Sequence, residues 1–231
     1  LSDLSIEDYT RLVIVLDDAL HLLPFESLMQ SLPASGSPYC QWQFLIEKHD
    51  IAYQFSANLW QEMRQSSVPT SRRNILFSCD FENDLLIKAR GMPDSFMPEA
   101  LPNSSREISI LNKLLDGELI DGPEATKQNF LNALPGSGIF HISTHTVIND
   151  QFPDQSFLTV YPEHPADTAC LYLSDLLNMH LPVQLVTLNS CSSFRGPFRP
   201  GLGMASISKG FAFAGAQIVD GHDGVLPGAE F

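Results

Sequence analysis

Two residues in the last third of the chain pair reactive side-chain chemistry with a telling spacing. His145 closes the run His141-Ile142-Ser143-Thr144-His145, and Cys191, 46 residues later, closes Val186-Thr187-Leu188-Asn189-Ser190-Cys191. A thiol becomes a strong nucleophile once deprotonated, and an imidazole titrating near neutrality is well suited to take its proton. A cysteine at a strand end, entering a loop rich in Ser, Gly and Pro, has partial access, backbone N–H groups for an oxyanion and room for a base. Other readings stay open on these residues alone. An isolated Cys is more often a small buried hydrophobe than a nucleophile. Alternation along a strand places 141, 143 and 145 on one side, so His141 and His145 form a candidate metal pair. HxxxH ligands usually sit on a helix, however, and no acidic third ligand is offered, so no metal is expected. Ser190 and Ser192 are candidate serine nucleophiles, but neither stands in a Gly-x-Ser-x-Gly elbow.

The elements that would hold these residues alternate between strands and helices. Residues 11–16 read as a buried strand closed by Asp17 and Asp18, with 20–23 pairing back on it. Pro24 suits the first turn of a helix over 25–29, and 31–38 is loop. A short helical stretch spans 43–47, a strand 50–55, and Ser56 caps a helix running to Met63. A second strong strand covers 75–79, and 92–105, with three prolines, is an irregular connection. Ile108, Leu111, Leu114 and Leu115 mark a helical apolar face. A brief strand at 118–120 and a helix over 124–134 follow. Strands at 138–143, 156–160 and 185–190, a tightly packed helix over 203–215 and a strand at 217–219 complete the chain. Strands alternating with helices imply a mostly parallel sheet covered on both faces, with functional groups gathered beyond the carboxyl ends of its strands.

Composition narrows the function. With 231 residues, 44% hydrophobic and 17% charged, one core buries most of the apolar surface, and a single domain over 1–231 is expected. A net charge of -14 disfavours nucleic acid as a partner, because phosphate tracking needs clustered Lys and Arg. No apolar run is long enough to span a membrane and no signal-peptide pattern opens the chain. Cys40, Cys79, Cys170 and Cys191 are widely spaced without a CxxC pair, which favours a reducing, cytoplasmic setting over a disulfide scaffold or a zinc cluster. Leu1 is not an initiator methionine, so the chain is read as a piece of a longer protein.

At these residues the sequence resembles the CHAT domains, caspase-like modules of peptidase clan CD related to caspases, metacaspases, gingipains and separases. LVIVLDDALHLLPFESL (12–28) resembles the family's strand, Asp-containing turn and Leu-Pro-Phe block. Glu107, followed by Glu124-Ala125-Thr126-Lys127 and Phe130, is similar to its "E…ATK..F" stretch. IFHISTHT (139–146) resembles the H-x-x-x-H strand, and Ser156 with Leu158 the S-x-L strand after it. LVTLNSCSS (185–193) resembles the strand ending in the catalytic cysteine, and GLGMASISKGFAFAGAQIV (201–219) the Gly-rich loop, helix and strand that follow.

The resemblance implies a caspase-like three-layer α/β/α fold around a mostly parallel sheet, and a cysteine endopeptidase acting on protein or peptide substrates. It implies Cys191 as nucleophile, His145 as base, backbone N–H groups of Cys191 and Thr146 as oxyanion donors, and no metal or organic cofactor. Fusion of relatives to helical repeats implies gating by a regulatory helical-repeat domain or subunit. Clan members that cleave after Arg or Lys use an acidic pocket, for which Asp154, Asp220 and Asp223 are candidates. Three departures stand against this pattern: Thr146 where many relatives have Gly, a C-terminal stretch after Val219 that reads as truncated, and a post-cysteine loop with two arginines and two aromatics. Thr146 and the altered C-terminal stretch support an alternative, a catalytically silent caspase-like module used for assembly, while the loop is a candidate for contacting substrate or regulating access.

Overall fold

The computed structural model describes residues 6–16, 20, 23–65, 73–81, 98–164, 167–191, 193, 195–199 and 203–222. The chain divides into two compact units, 1–61 and 62–231.

In the first unit the aliphatic run forms β1 (Arg11–Val15), which pairs in parallel with β2 (Asp50–Gln54), Arg11 opposite Asp50 through Val15 opposite Gln54. β1 is only half-buried, because a two-stranded ribbon leaves each strand an open edge. The helices expected at 25–29 and 43–47 are reduced to single 3-10 turns, Phe25–Ser27 and Leu45–Glu47, whose flanks meet in a bridge between Met29 and Phe44. The Tyr53 hydroxyl donates to Glu26 and accepts from the Phe25 N–H at 2.8 Å, which fastens the first turn to β2. Part of the expected pairing at 20–23 lies outside the described residues. The chain then enters α1 (Ala57–Gln65), where Ser56 Oγ accepts the Leu59 N–H at 3.1 Å and caps the helix as its sequence predicts.

The second unit is built on five parallel strands: β3 (Ile75–Ser78), β4 (Glu118–Asp121), β5 (Ile139–Ser143), β9 (Leu185–Asn189) and β12 (Ile218–His222). Their order is β12-β9-β5-β3-β4. The chain therefore leaves β3 toward one edge and β5 toward the other, which makes the gap beyond their carboxyl ends a topological switch point. Ile75 and Phe77 on β3, Phe140 and Ile142 on β5, and Val186 and Leu188 on β9 belong to one buried core. That core is closed by α3 (Lys127–Ala133), α4 (Leu173–Leu177) and α5 (Ile207–Ala214) through Phe130, Leu173, Leu176 and Phe211. On the opposite face α2 (Ser104–Leu115) packs on β3 and β4. This is the caspase-like α/β/α layering with a parallel sheet.

Local sequence explains several of these boundaries. Thr126 Oγ1 accepts the Asn129 N–H at 3.2 Å to start α3, and Ser206 Oγ accepts from Lys209 N to start α5. α5 ends on Gly215 at φ +117, a left-handed position that favours glycine. Lys127 Nζ lies 2.6 Å from Asp175 Oδ2, and the same oxygen accepts the Tyr172 N–H at 2.9 Å, tying α3 to the start of α4.

Three expectations change. The strand at 156–160 is β7 (Phe157–Thr159), which lies outside the parallel sheet, in an antiparallel sheet between β6 (Thr146–Val147) and β8 (Cys170–Tyr172). Gly203–Met204 forms β11, paired with β10 (Phe198–Arg199), so α5 begins only at Ile207. Leu114 is 75% exposed while Ile108 is fully buried. At 3.6 residues per turn Ile108, Leu111 and Leu115 form one stripe, and Leu114 falls off it. Among the described residues no helix is long and apolar enough to cross a membrane.

Candidate active site

The sheet register sets the frame of the site. Ser78, Ser143 and Asn189 stand side by side as the paired ends of β3, β5 and β9. Asp80, His145 and Cys191 each follow two residues later, so the three occupy the carboxyl rim of neighbouring strands at the switch point. The rim is knitted between the ends of β5 and β9. The Thr144 N–H donates to Asn189 O at 3.3 Å, and the Thr146 and Ser190 hydroxyls bond to each other. Cys191 is exposed, in contrast to Cys79 and Cys170, which are buried, and all four cysteines are free thiols.

The protonation of His145 follows from its partner. Its Nε2 lies 2.7 Å from the backbone carbonyl of Glu99, which can only accept. Nε2 therefore carries the proton, and in the neutral ring Nδ1 is the basic nitrogen. Phe81 fixes the plane of the ring: the two rings stack at 6.0 Å and 23°, and Tyr161 stacks on Phe81 in turn at 4.9 Å and 22°. Phe81 holds φ +52, a costly left-handed conformation for an aromatic residue, and its N–H donates to the Tyr161 hydroxyl at 2.9 Å. That hydroxyl donates onward to Asp80 Oδ1 at 2.9 Å. Burial, then the bond to Asp80, pushes the Tyr161 hydroxyl well above its ordinary pKa, so it remains a donor.

Thr146 begins β6 beside this imidazole. The Thr159 N–H donates to His145 O at 3.0 Å, so Thr146, opposite Leu158, is the non-hydrogen-bonded member of that pair and its own N–H turns away from β7. Its side-chain oxygen is occupied with Ser190. Beyond Cys191 the chain is drawn back by a turn from Ser190 and by the Ser208 N–H donating to Ser193 O at 3.1 Å. Gly196 passes so near Ala205 that a Cβ would stand 1.8 Å from its carbonyl oxygen, so the return of this loop requires glycine.

On the sheet face under α2 lies a polar cluster. Glu107 Oε2 accepts from Asn189 Nδ2 at 2.6 Å and from Ser143 Oγ at 3.1 Å. Glu107 Oε1 is 3.2 Å from His141 Nε2, close enough for an ion pair but off the line of an N–H donor, while His141 Nδ1 meets Thr187 Oγ1 at 2.6 Å. His141 is thus a structural ring on the face, below the rim. It also lines a groove of about 730 Å³ bounded by Ile110, Leu111, Ile139 and Leu185. Burial alone would push the Glu107 carboxyl up; His141, Asn189 and Ser143 outweigh it and hold the carboxyl below the ordinary glutamate range. A carboxylate with a lowered folded pKa stabilises the fold above its unfolded pKa of about 4.3, and that contribution is lost as pH falls through the folded value. The urea midpoint of the wild type should therefore exceed that of Glu107→Gln at pH 7, with the gap closing below about pH 4. A gap that persists undiminished at pH 3 contradicts this.

The acidic candidates are not gathered at the rim. Asp154 is exposed in the turn before β7, at the end of the β6–β7 hairpin remote from His145. Asp220 is exposed on β12 opposite Thr187, four residues short of Cys191 along the sheet. Asp223 lies outside the described residues. The acids at the strand ends are Asp80 and Asp121, which share the Ser105 hydroxyl at 3.1 and 3.4 Å. Burial, then the charge of Asp80, pushes the Asp121 carboxyl up. Among the described residues no cluster of His, Cys, Asp and Glu is placed to hold a metal ion.

The CHAT domain family model matches residues 1–221. The chain is also similar to tetratricopeptide repeat protein 28 of Homo sapiens, 22% identical over 245 residues that cover 91% of this chain and 10% of that protein. The chain thus spans about a tenth of the length of the curated relative it matches.

Proposed function

The chain belongs to the CHAT domain family, and on that premise we propose that it is a cysteine endopeptidase using Cys191 and His145. The observation that carries this reading is the equal offset of the two residues beyond paired strand ends, with the imidazole held by Glu99 and Phe81. The Cys191 sulfur attacks the scissile carbonyl carbon, and its proton passes to His145 Nδ1, while Nε2–H stays on the Glu99 carbonyl. The oxyanion is held by the N–H groups of Cys191 and Thr146. The imidazolium protonates the leaving amine, and water then hydrolyses the acyl-enzyme. None of these steps calls for a metal or organic cofactor.

The substrate is a protein or peptide segment laid along the strand ends. With acids at the rim, Arg or Lys is the preferred residue at the cleaved position, and Asp80 and Asp121 are better placed to select it than Asp154 or Asp220. The relative's name refers to tetratricopeptide repeats, which are helix pairs, and this supports gating by a helical-repeat domain or subunit.

The thiols supply the test. Cys40 and Cys191 are both exposed, so iodoacetamide at pH 6.5 should label Cys191 at least about tenfold faster if the imidazole activates it. Labelled protein should then fail to cleave a peptide library that the untreated protein cuts after Arg or Lys. Equal labelling of the two thiols, or cleavage that survives labelling of Cys191, overturns the reading and leaves the assembly module. Apolar residues at the cleaved position remove the acidic pocket alone.

A further inference from the structure

We propose that Glu107 is a positioning residue, a carboxylate staple that holds the ends of β5 and β9 at the spacing His145 and Cys191 need. The inference rests on the proposed dyad. One oxygen, Oε2, accepts from Ser143 on β5 and from Asn189 on β9, and these two residues are register partners. Each stands two residues before its member of the dyad, so the staple lies one pleat below the rim.

Two features make this a specific device. First, Glu107 comes from α2, whose main packing is on β3 and β4 rather than on the two strands it bridges. It reaches across the sheet face to Ser143 and Asn189, the last residues of β5 and β9. Second, the carboxylate extends toward the dyad a side-chain link between the same two strands, the 2.6 Å contact of His141 Nδ1 with Thr187 Oγ1 two residues further back. Remove the carboxylate and the exposed amide of Asn189 and the buried hydroxyl of Ser143 lose their common acceptor, and for the buried hydroxyl an unmade hydrogen bond is costly. The spacing of the two strand ends then rests on the Thr144 N–H to Asn189 O bond at 3.3 Å and on the Thr146–Ser190 hydroxyl pair, without the carboxylate between them. A dyad tolerates little change in that spacing, because a displacement of about 1 Å in a reacting pair costs about a hundredfold in rate. Glu107 touches neither substrate nor sulfur; it acts through the residues it holds.

The experiment measures iodoacetamide labelling of Cys191 at pH 6.5 in wild type, Glu107→Ala, Glu107→Gln, Asn189→Leu and His145→Ala. Cys79 and Cys170, both fully buried, report in the same samples whether each variant is folded, because unfolding would expose them. Folded Glu107→Ala and Asn189→Leu should label Cys191 about tenfold more slowly than wild type. Glu107→Gln, which retains an uncharged acceptor, should recover to within about threefold of wild type. A role confined to stability would shift unfolding and leave the labelling of folded protein unchanged. Wild-type labelling in both Glu107→Ala and Asn189→Leu, with His145→Ala slowed, overturns the staple and spares the dyad. If Glu107→Ala does not fold, Asn189→Leu decides by itself. If His145→Ala labels at the wild-type rate, the dyad fails and the staple with it.

Discussion

His145→Ala should lower peptide cleavage by about a thousandfold, within the range of a hundred to ten thousand that a positioned acid–base group contributes. The effect should fall on kcat with little change in KM, because the imidazole acts on a proton in transit and makes no contact that anchors the peptide. The ring is replaceable without collapse of its surroundings. It stacks against Phe81 and bonds to the Glu99 carbonyl at 2.7 Å. Circular dichroism and the protection of Cys79 and Cys170 should therefore match the wild type. Retained cleavage in a folded His145→Ala protein would mean that another group takes the thiol proton. A rise in KM with unchanged kcat would make the histidine a binding residue instead.

Phe130→Ala carries the largest expected loss of stability, about 3–5 kcal/mol. Phe130 is fully buried at the meeting point of three other rings, with centroids 5.2 Å from Phe77, 5.1 Å from Phe140 and 6.2 Å from Phe211. It thereby joins α3 to two strands of the sheet and to α5. Deleting it removes the transfer energy of a benzyl group and opens a cavity whose walls belong to four different elements, so no single one can move to fill it. Phe213 on α5 is the control. It is 53% exposed, with Lys209 Nζ 5.5 Å from its ring, and Phe213→Ala should cost about 1 kcal/mol or less. Urea unfolding of the two variants decides the matter. A loss of under about 1 kcal/mol at Phe130 would mean that the aromatic cluster is not what holds the layers together.

The main sheet was legible because its inner strands are covered by helices, fully on one face and in part on the other, and so read as mostly apolar runs: residues 75–79, 138–143 and 185–190 lie on β3, β5 and β9. The rim was legible because polar, reactive residues follow those runs abruptly. The small antiparallel sheet escaped, since β6 and β8 have two and three residues and so short a run carries no period. The surroundings of His145 escaped for different reasons. Glu99 contributes a backbone carbonyl, which no side chain advertises, and Phe81 matters through a left-handed φ that an aromatic residue does not signal. Glu107 was visible as part of a motif, but nothing in its sequence neighbourhood indicated that its partners are Ser143 and Asn189.

The strand order bears on how the proposed dyad comes to be assembled. β5 is flanked by β3 and β9, so the two sides of the rim are supplied by segments 65 residues earlier and 46 residues later in the chain. Contacts of such long sequence separation form late and slowly, since loop closure must be paid before they reward it. A nascent chain still short of β9 has the imidazole of the proposed pair without Cys191, its thiol partner. On the proposed mechanism, reactivity at this rim therefore arrives only once β9 has joined the sheet beside β5.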